Sequence, residues 1–180
     1  QWYVATEAAR RQGASQIHTE LSGQLVFDAP AGAFTLSARA DRIDIMPDRI
    51  VITDYKTGKI PKRNTVESGF APQLPLEAAI AAAQGFAGVP AGRAIALRYI
   101  RATGGMPPGE QNDVASDAST LAAQTLENFK ALVALFDDEA TPYRPVRRHG
   151  LTYDFDEYAH LARVAEWSAS GMAGSEEVDA

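Results

Sequence analysis

Two aspartates and a lysine stand in a segment that is otherwise built for burial, "ARADRIDIMPDRIVITDYKTGK", residues 38–59. These three residues are Asp41, Asp54 and Lys56. An isolated charge is costly to bury unless it is paired with another charge or bound to a metal. The segment therefore predicts an ion cluster or a metal site beside an apolar core.

A turn centred on Pro47 and Asp48 would fold this segment into a hairpin. Such a hairpin pairs Asp41 with Asp54, and the two pairs nearest the turn, on the same face, are apolar: Ile43 with Ile52 and Ile45 with Ile50. Directly opposed Cβ atoms lie ~5 Å apart, so the two carboxylates would repel each other unless a divalent cation lay between them. Lys56 shares their face by alternation. The alternative is a surface hairpin with an ion network, but isoleucines on the charged face disfavour it.

The elements that must position these residues form an α/β (α+β) pattern, with a small mixed sheet flanked by helices. Helices are predicted at residues 1–12, 73–86, 118–139 and 156–170, and strands at 15–29, 33–46, 48–58 and 92–102. Residues 56–72 and 103–113 are predicted to be loops, and 171–180 a flexible tail. We expect one domain over residues 1–180, and the first residues indicate either an amphipathic N-terminal helix or a helix cut from a longer protein.

The composition excludes several classes of protein. The chain has 180 residues and no cysteine, so disulfides, a zinc ribbon and a cysteine-ligated iron–sulfur cluster are excluded within it. No apolar run approaches the ~18–20 residues that span a membrane, so no membrane association is expected. The net charge of −6 argues mildly against a free-standing nucleic-acid-binding module, which is usually basic.

Three motifs in this order, "ARADRID", "ITDYKTG" and "APQLPLEAAI", resemble the RecB-like branch of the PD-(D/E)XK nuclease superfamily. Within that branch they are most similar to the C-terminal nuclease domain of AddB-type subunits of bacterial double-strand-break repair helicase–nucleases. The resemblance extends from about His18 to Arg101, and "HLARVAEWS" resembles the end of such subunits. It implies a restriction-endonuclease-like core.

The resemblance also implies roles for individual residues. Asp41 and Asp54 would be metal ligands, and Glu20 would be a candidate extra carboxylate ligand, or else an exposed strand acid. Lys56 would activate the attacking water and stabilise charge on the phosphate. Gln73, which opens "QLPLE", would help to shape the site.

The function implied is a metal-dependent DNA exonuclease in double-strand-break repair and recombination. Its cofactor would be Mg²⁺, with Mn²⁺ as a substitute, because a divalent ion on carboxylate oxygens shields the phosphate and supplies bound water. Its partners would be DNA and an AddA-type helicase–nuclease subunit, in the bacterial cytoplasm with the nucleoid. The alternative is a catalytically impaired nuclease fold that serves as a scaffold for DNA or a partner subunit.

The chain departs from the family in two respects. RecB-like nucleases carry a histidine ligand on a helix before the first strand, whereas His18 falls on a predicted strand, so the fragment alone is expected to bind metal weakly. The cysteines of an AddB-type iron–sulfur cluster are absent. Further along, "YRPVRRHG" is either a solvated loop or a contact for the DNA backbone through three arginines: Arg144, Arg147 and Arg148.

Overall fold

The computed structural model describes residues 2–91, 94–114 and 117–142. The chain divides into two compact units, residues 1–139 and 140–180. The elements belong to the first unit and are α1 (Trp2–Arg11), β1 (Gln16–Ala29), β2 (Gly32–Ile45), β3 (Arg49–Lys56), α2 (Arg63–Glu67), α3 (Gln73–Ala82), β4 (Ala94–Ala102), β5 (Gly109–Asp113) and α4 (Ala118–Asp137). The predicted helix at 156–170, the tail at 171–180 and the three candidate DNA-binding arginines lie outside the described residues.

The five strands form one mixed sheet in the order β1-β2-β3-β4-β5. The pairs β1–β2, β2–β3 and β4–β5 are antiparallel, whereas β3 and β4 are parallel. A parallel pair requires a crossover connection, and here the crossover contains α2 and α3. This confirms the predicted class of a small mixed sheet flanked by helices. None of the helices in the described ranges is long and apolar enough to cross a membrane.

Two elements lie in segments that were predicted to be loops. The strand β5 has the sequence "GEQND", which contains no β-branched or aromatic residue, and it is held at the sheet edge by backbone pairing with β4. The helix α2 is only five residues long and has no side-chain cap. Both elements therefore depend on tertiary contacts more than on local propensity.

One face of the sheet carries the core with α3 and α4. The isoleucines predicted to line this face of the hairpin are all buried, with exposures between 0% and 4%. They pack in one cluster with residues of α3 such as Leu74 and Ile80. The alternation that places isoleucines in this core also directs Asp54 and Lys56 to the same face at the end of β3.

The opposite face of β2 holds a buried ion network with α1. Arg42, which is 3% exposed, donates through Nε to Asp44 Oδ1 at 2.7 Å. Its Nη1 donates to Glu7 Oε1 at 2.7 Å and Oε2 at 2.8 Å. Burial raises the pKa of Glu7, but hydrogen bonds from Arg11 and Arg42 outweigh it and lower that pKa to about 2. This network fixes α1 against the hairpin and gives Asp44 a structural role on the face opposite the core.

Candidate active site

Asp54, Lys56 and Gln73 form a closed triangle of hydrogen bonds. Lys56 Nζ donates to Asp54 Oδ1 at 3.0 Å and to Gln73 Oε1 at 3.0 Å. Gln73 Nε2 donates to Asp54 Oδ1 at 2.7 Å. Asp54 Oδ2 lies 2.8 Å from Lys56 Nζ as an ion pair but accepts no hydrogen bond. The structure thus brings together three of the residues predicted from sequence.

The fold explains why these three side chains meet. Asp54 and Lys56 are two residues apart on β3, so alternation directs them to one face. Gln73 is the first residue of α3, the crossover helix that packs on that face. Asp54 is 3% exposed, whereas the Lys56 side chain is 30% exposed. The lysine therefore connects a buried carboxylate to the solvent edge of the site.

Tyr99 forms the floor beneath the lysine. It is the β4 partner of Asp54 in the parallel pair, and its ring centroid lies 5.7 Å from Lys56 Nζ. Burial, reinforced by the charges of Asp54 and Glu77, raises the pKa of Tyr99 to about 12. Its hydroxyl is therefore neutral at physiological pH, and its ring face attracts the ammonium group.

Asp41 approaches the site by a different route from the predicted direct pair with Asp54. The predicted register holds from Ile45–Ile50, beside the turn, to Arg42–Thr53. The β2–β3 ladder ends at this last pair, one residue short of Asp41. Asp41 Oδ2 instead accepts a hydrogen bond at 2.8 Å from the backbone N–H of Tyr55. Its carboxylate, rather than a backbone carbonyl, is therefore the acceptor for this N–H, which lies next to Asp54 in the chain.

The cause is an irregular rung in the β1–β2 hairpin. Thr19 pairs with Arg42 and Leu21 with Ala40, but Glu20 and Asp41 between them are unpaired, and Glu20 has a φ of 52°. On β2, the residues that face the core have even numbers before this rung and odd numbers after it. They are Leu36, Ala38 and Ala40, and then Ile43 and Ile45. Each strand thus carries one extra residue, and the one on β2 is Asp41.

Glu77 belongs to the site but was not predicted from the sequence. Gln73 Nε2 donates to Glu77 Oε1 at 3.2 Å, Glu77 is 2% exposed, and its Oε2 has no hydrogen-bond partner. Burial raises the pKa of Glu77 to about 7, and the charges of Asp54 and Asp41 add to this effect. The available signal was its position four residues after Gln73, which places both side chains on one helix face.

We expect Glu77→Gln to change how stability depends on pH in metal-free buffer. The pKa of Glu77 is about 7 in the folded state and 4.5 in the reference state. The folded state therefore holds the proton more tightly, and the wild type loses stability as pH rises from 4.5 to about 7. At ~1.36 kcal/mol per pKa unit, the variant should gain about 2–3 kcal/mol over the wild type between pH 4.5 and pH 8.

Denaturant unfolding at both pH values, in the presence of EDTA, measures this difference. A variant whose pH profile runs parallel to that of the wild type would show that Glu77 has an ordinary pKa.

Several other candidates lie apart from the triangle. Glu20 forms an ion pair with Arg39 at 3.0 Å, and its side chain is 58% exposed, so its role as an extra ligand stays a prediction. His18 lies on β1, as predicted, and pairs with Ile43 in the ladder.

The donors present suit a hydrated divalent cation. Within residues 2–91, 94–114 and 117–142, no three histidine, cysteine, aspartate or glutamate side chains form a group that could hold a metal. However, Mg²⁺ is usually bound through one or two carboxylates and several waters. Asp54 Oδ2 is buried with the Lys56 ammonium 2.8 Å away and with no other polar partner among the described residues, and Asp41 reaches the same end of the hairpin. The residues therefore fit a cation held by two carboxylates.

Comparison with known proteins gives relatives and a solved structure. An uncharacterized protein of Rickettsia bellii (strain RML369-C) is 27% identical over an alignment 180 residues long. The alignment covers 88% of this chain and 20% of that protein. An uncharacterized protein of Rickettsia felis is 33% identical over 85 residues, 47% of this chain and 10% of that protein. The crystal structure of SSO0001 has a TM-score of 0.39 at 15% identity, and covers 73% of this chain and 57% of that one.

These relatives are much longer than this chain, which spans a fifth of the first and a tenth of the second. The family model of the PD-(D/E)XK nuclease superfamily matches residues 1–150, which include the whole hairpin and the crossover helix. The chain therefore belongs to the PD-(D/E)XK nuclease superfamily.

Proposed function

We propose that this chain is a metal-dependent deoxyribonuclease domain that hydrolyses DNA phosphodiesters as an exonuclease. The observation that carries this proposal is the contact of Lys56 with both Asp54 and Gln73 at the end of β3. The partly exposed ammonium group can meet a phosphate, and the buried carboxylate beside it can hold a divalent cation at the same place. Nuclease chemistry requires both.

Each residue has a distinct task in this proposal. Asp41 and Asp54 would hold Mg²⁺, or Mn²⁺ in its place, which supplies charge shielding and an acidified water when bound. Lys56 orients the attacking water and stabilises the charge that develops on the phosphate. Gln73 accepts from Lys56 and donates to Asp54, so it fixes the distance between them.

A basic segment next to the site supports DNA as the substrate. The connection from β3 into α2 exposes Lys59, Lys62 and Arg63 directly after the site lysine. Phosphate contacts of this kind supply most of the sequence-independent affinity for DNA. With a net charge of −6 over the chain, the positive potential must be concentrated locally. The contacts predicted for Arg144, Arg147 and Arg148 would extend this surface.

We further propose an AddB-type role in double-strand-break repair, with an AddA-type helicase–nuclease partner. Its support is the resemblance of the three motifs, together with the small share of each Rickettsia relative that the chain covers. A nuclease domain that is part of a long protein can receive strands from a motor carried by the same assembly. The lack of cysteine means that this chain itself binds no cysteine-ligated iron–sulfur cluster.

The test is cleavage of end-labelled single- and double-stranded DNA by the chain and by Asp54→Asn, each with Mg²⁺ or Mn²⁺. We expect cleavage by the wild type and none above background by the variant. The matched control is Asp48→Asn, an exposed aspartate in the turn of the same hairpin, which should cleave normally. Wild-type protein that binds DNA without cutting it under either metal would favour the scaffold alternative.

The metal site has its own expected result in melting temperature. A ligand that binds only the folded state stabilises it by about 1.4 kcal/mol at ten times its Kd. We expect millimolar Mn²⁺ to raise the melting temperature of the wild type by several degrees and to leave that of Asp54→Ala unchanged. Equal rises in both proteins would indicate nonspecific ion binding and would contradict the assignment of Asp54.

A further inference from the structure

Glu77 is an unusual residue to find in a helix that packs on the core. It is 2% exposed, it lies among apolar residues of α3, and one of its carboxylate oxygens has no hydrogen-bond partner. Burying such a group is costly, so its presence requires a specific reason. Within the described residues, the side chain of Glu77 has one hydrogen bond, which it accepts from Gln73 Nε2.

The chemistry of the neighbours fixes the orientation of the Gln73 amide. Lys56 carries only donors, so the amide atom 3.0 Å from its Nζ must be the carbonyl oxygen. The carboxylate of Asp54 is an acceptor, so the amide nitrogen must face it. That nitrogen carries two hydrogens, and Glu77 accepts the second one.

We propose that Glu77 is a positioning residue that holds the Gln73 amide in this orientation and, through it, holds Lys56 in place for reaction. The inference rests on the proposed function, because it assigns Glu77 to the same site. Without an acceptor at position 77, one amide hydrogen loses its partner and the amide can rotate. Lys56 then loses a fixed acceptor and keeps its contacts with Asp54 and with the ring of Tyr99.

The alternative is that Glu77 acts by its charge, for example as a further metal ligand. The two ideas differ in what a glutamine at this position can do. An amide oxygen can still accept from Gln73, so Glu77→Gln should retain the positioning role, whereas a ligand role requires the carboxylate. Glu77→Leu removes both, since leucine has no acceptor.

The first measurement needs neither metal nor DNA. The side-chain NH₂ resonances of Gln73, identified by their loss in Gln73→Ala, should be displaced from the shifts of a free glutamine and protected from solvent exchange in the wild type and in Glu77→Gln. In Glu77→Leu we expect the shifts and exchange of an unrestrained glutamine. Unchanged resonances in Glu77→Leu would overturn the proposal, even if the chain proved to have no nuclease activity.

The second measurement is a double-mutant cycle in single-turnover cleavage. We expect Glu77→Leu and Gln73→Ala each to lower the rate about tenfold or more, and the double variant to equal Gln73→Ala within about twofold. Glu77→Gln should restore most of the rate lost in Glu77→Leu. Multiplied losses in the double variant, or a Glu77→Gln protein as slow as Glu77→Leu, would overturn the proposal while leaving nuclease function intact.

Discussion

Replacing Lys56 with alanine should lower the rate of DNA cleavage by about 10²–10³, the usual cost of losing one preorganised electrostatic group. The lysine is held by Asp54 and Gln73 and lies over the ring of Tyr99, so its ammonium group is fixed before substrate arrives. A group with this support contributes to the transition state without having to be ordered during the reaction.

Single-turnover cleavage, DNA affinity and melting temperature should be measured on one preparation of the Lys56→Ala protein. DNA affinity should change little, since phosphate binding is spread over many contacts. Metal affinity should hold or improve, because a cation beside Asp54 has been removed. Lys130→Ala, which loses an exposed pair with Glu127 on α4, is the matched control and should cleave normally. A stable Lys56→Ala protein with a near-normal rate would contradict the assignment.

The largest expected loss of stability follows from Arg42→Met, which should reduce the free energy of unfolding by about 3–5 kcal/mol. The substitution leaves Asp44, whose side chain is 3% exposed, without its ion pair, and removes one of the partners of Glu7. Breaking a buried pair on one side is far more costly than replacing the whole pair with apolar groups.

Denaturant unfolding at neutral pH measures this loss. Arg39→Met is the matched control on the same strand, because its ion pair with Glu20 is more than half exposed at both ends and should contribute less than ~1 kcal/mol. Adding Asp44→Leu to Arg42→Met should recover part of the loss. The deficit should also shrink as pH falls from 4.5 toward 2, because over this range the unfolded chain protonates Glu7 while the folded wild type keeps it ionised, so the wild type loses the stability that the Glu7 pairs provide. Equal losses of unfolding free energy in the two arginine variants would mean that the buried Arg42 network stabilises the fold no more than the exposed Arg39 pair does.

The hairpin shows how far sequence reasoning reaches. Pro47 and Asp48 mark the turn and the isoleucine pattern sets the register, so the pairing from Arg42–Thr53 to Ile45–Ile50 was predicted correctly. Alternation along a single strand was enough to place Asp54 and Lys56 on one face. Gln73 was identified by its motif, and it lies in contact with both residues, while its role in the site stays a prediction.

The rest depended on contacts that the pattern of one strand does not contain. The Arg42–Glu7 hydrogen bond joins residues 35 apart, and no local signal predicts it. The strand β5 pairs through its backbone, so its side chains carried no strand pattern. Glu77 falls within the helix predicted at residues 73–86, but its charge alone does not reveal that it is buried beside the site. The shift of core positions between Ala40 and Ile43 is visible in the sequence only as a break in the apolar alternation of β2.

The irregular rung at Glu20 and Asp41 also bears on how such a site can arise in evolution. Each strand has one extra residue there, so the pairs on either side keep the register they would have in a shorter, regular hairpin. A hairpin lacking both residues would keep every remaining pair and every face assignment. Glu20 and Asp41 are therefore equivalent to a pair of inserted residues, one on each strand, in a hairpin that is geometrically complete without them. The first carboxylate of the site, Asp41, can be gained or lost with this pair without redesigning the sheet.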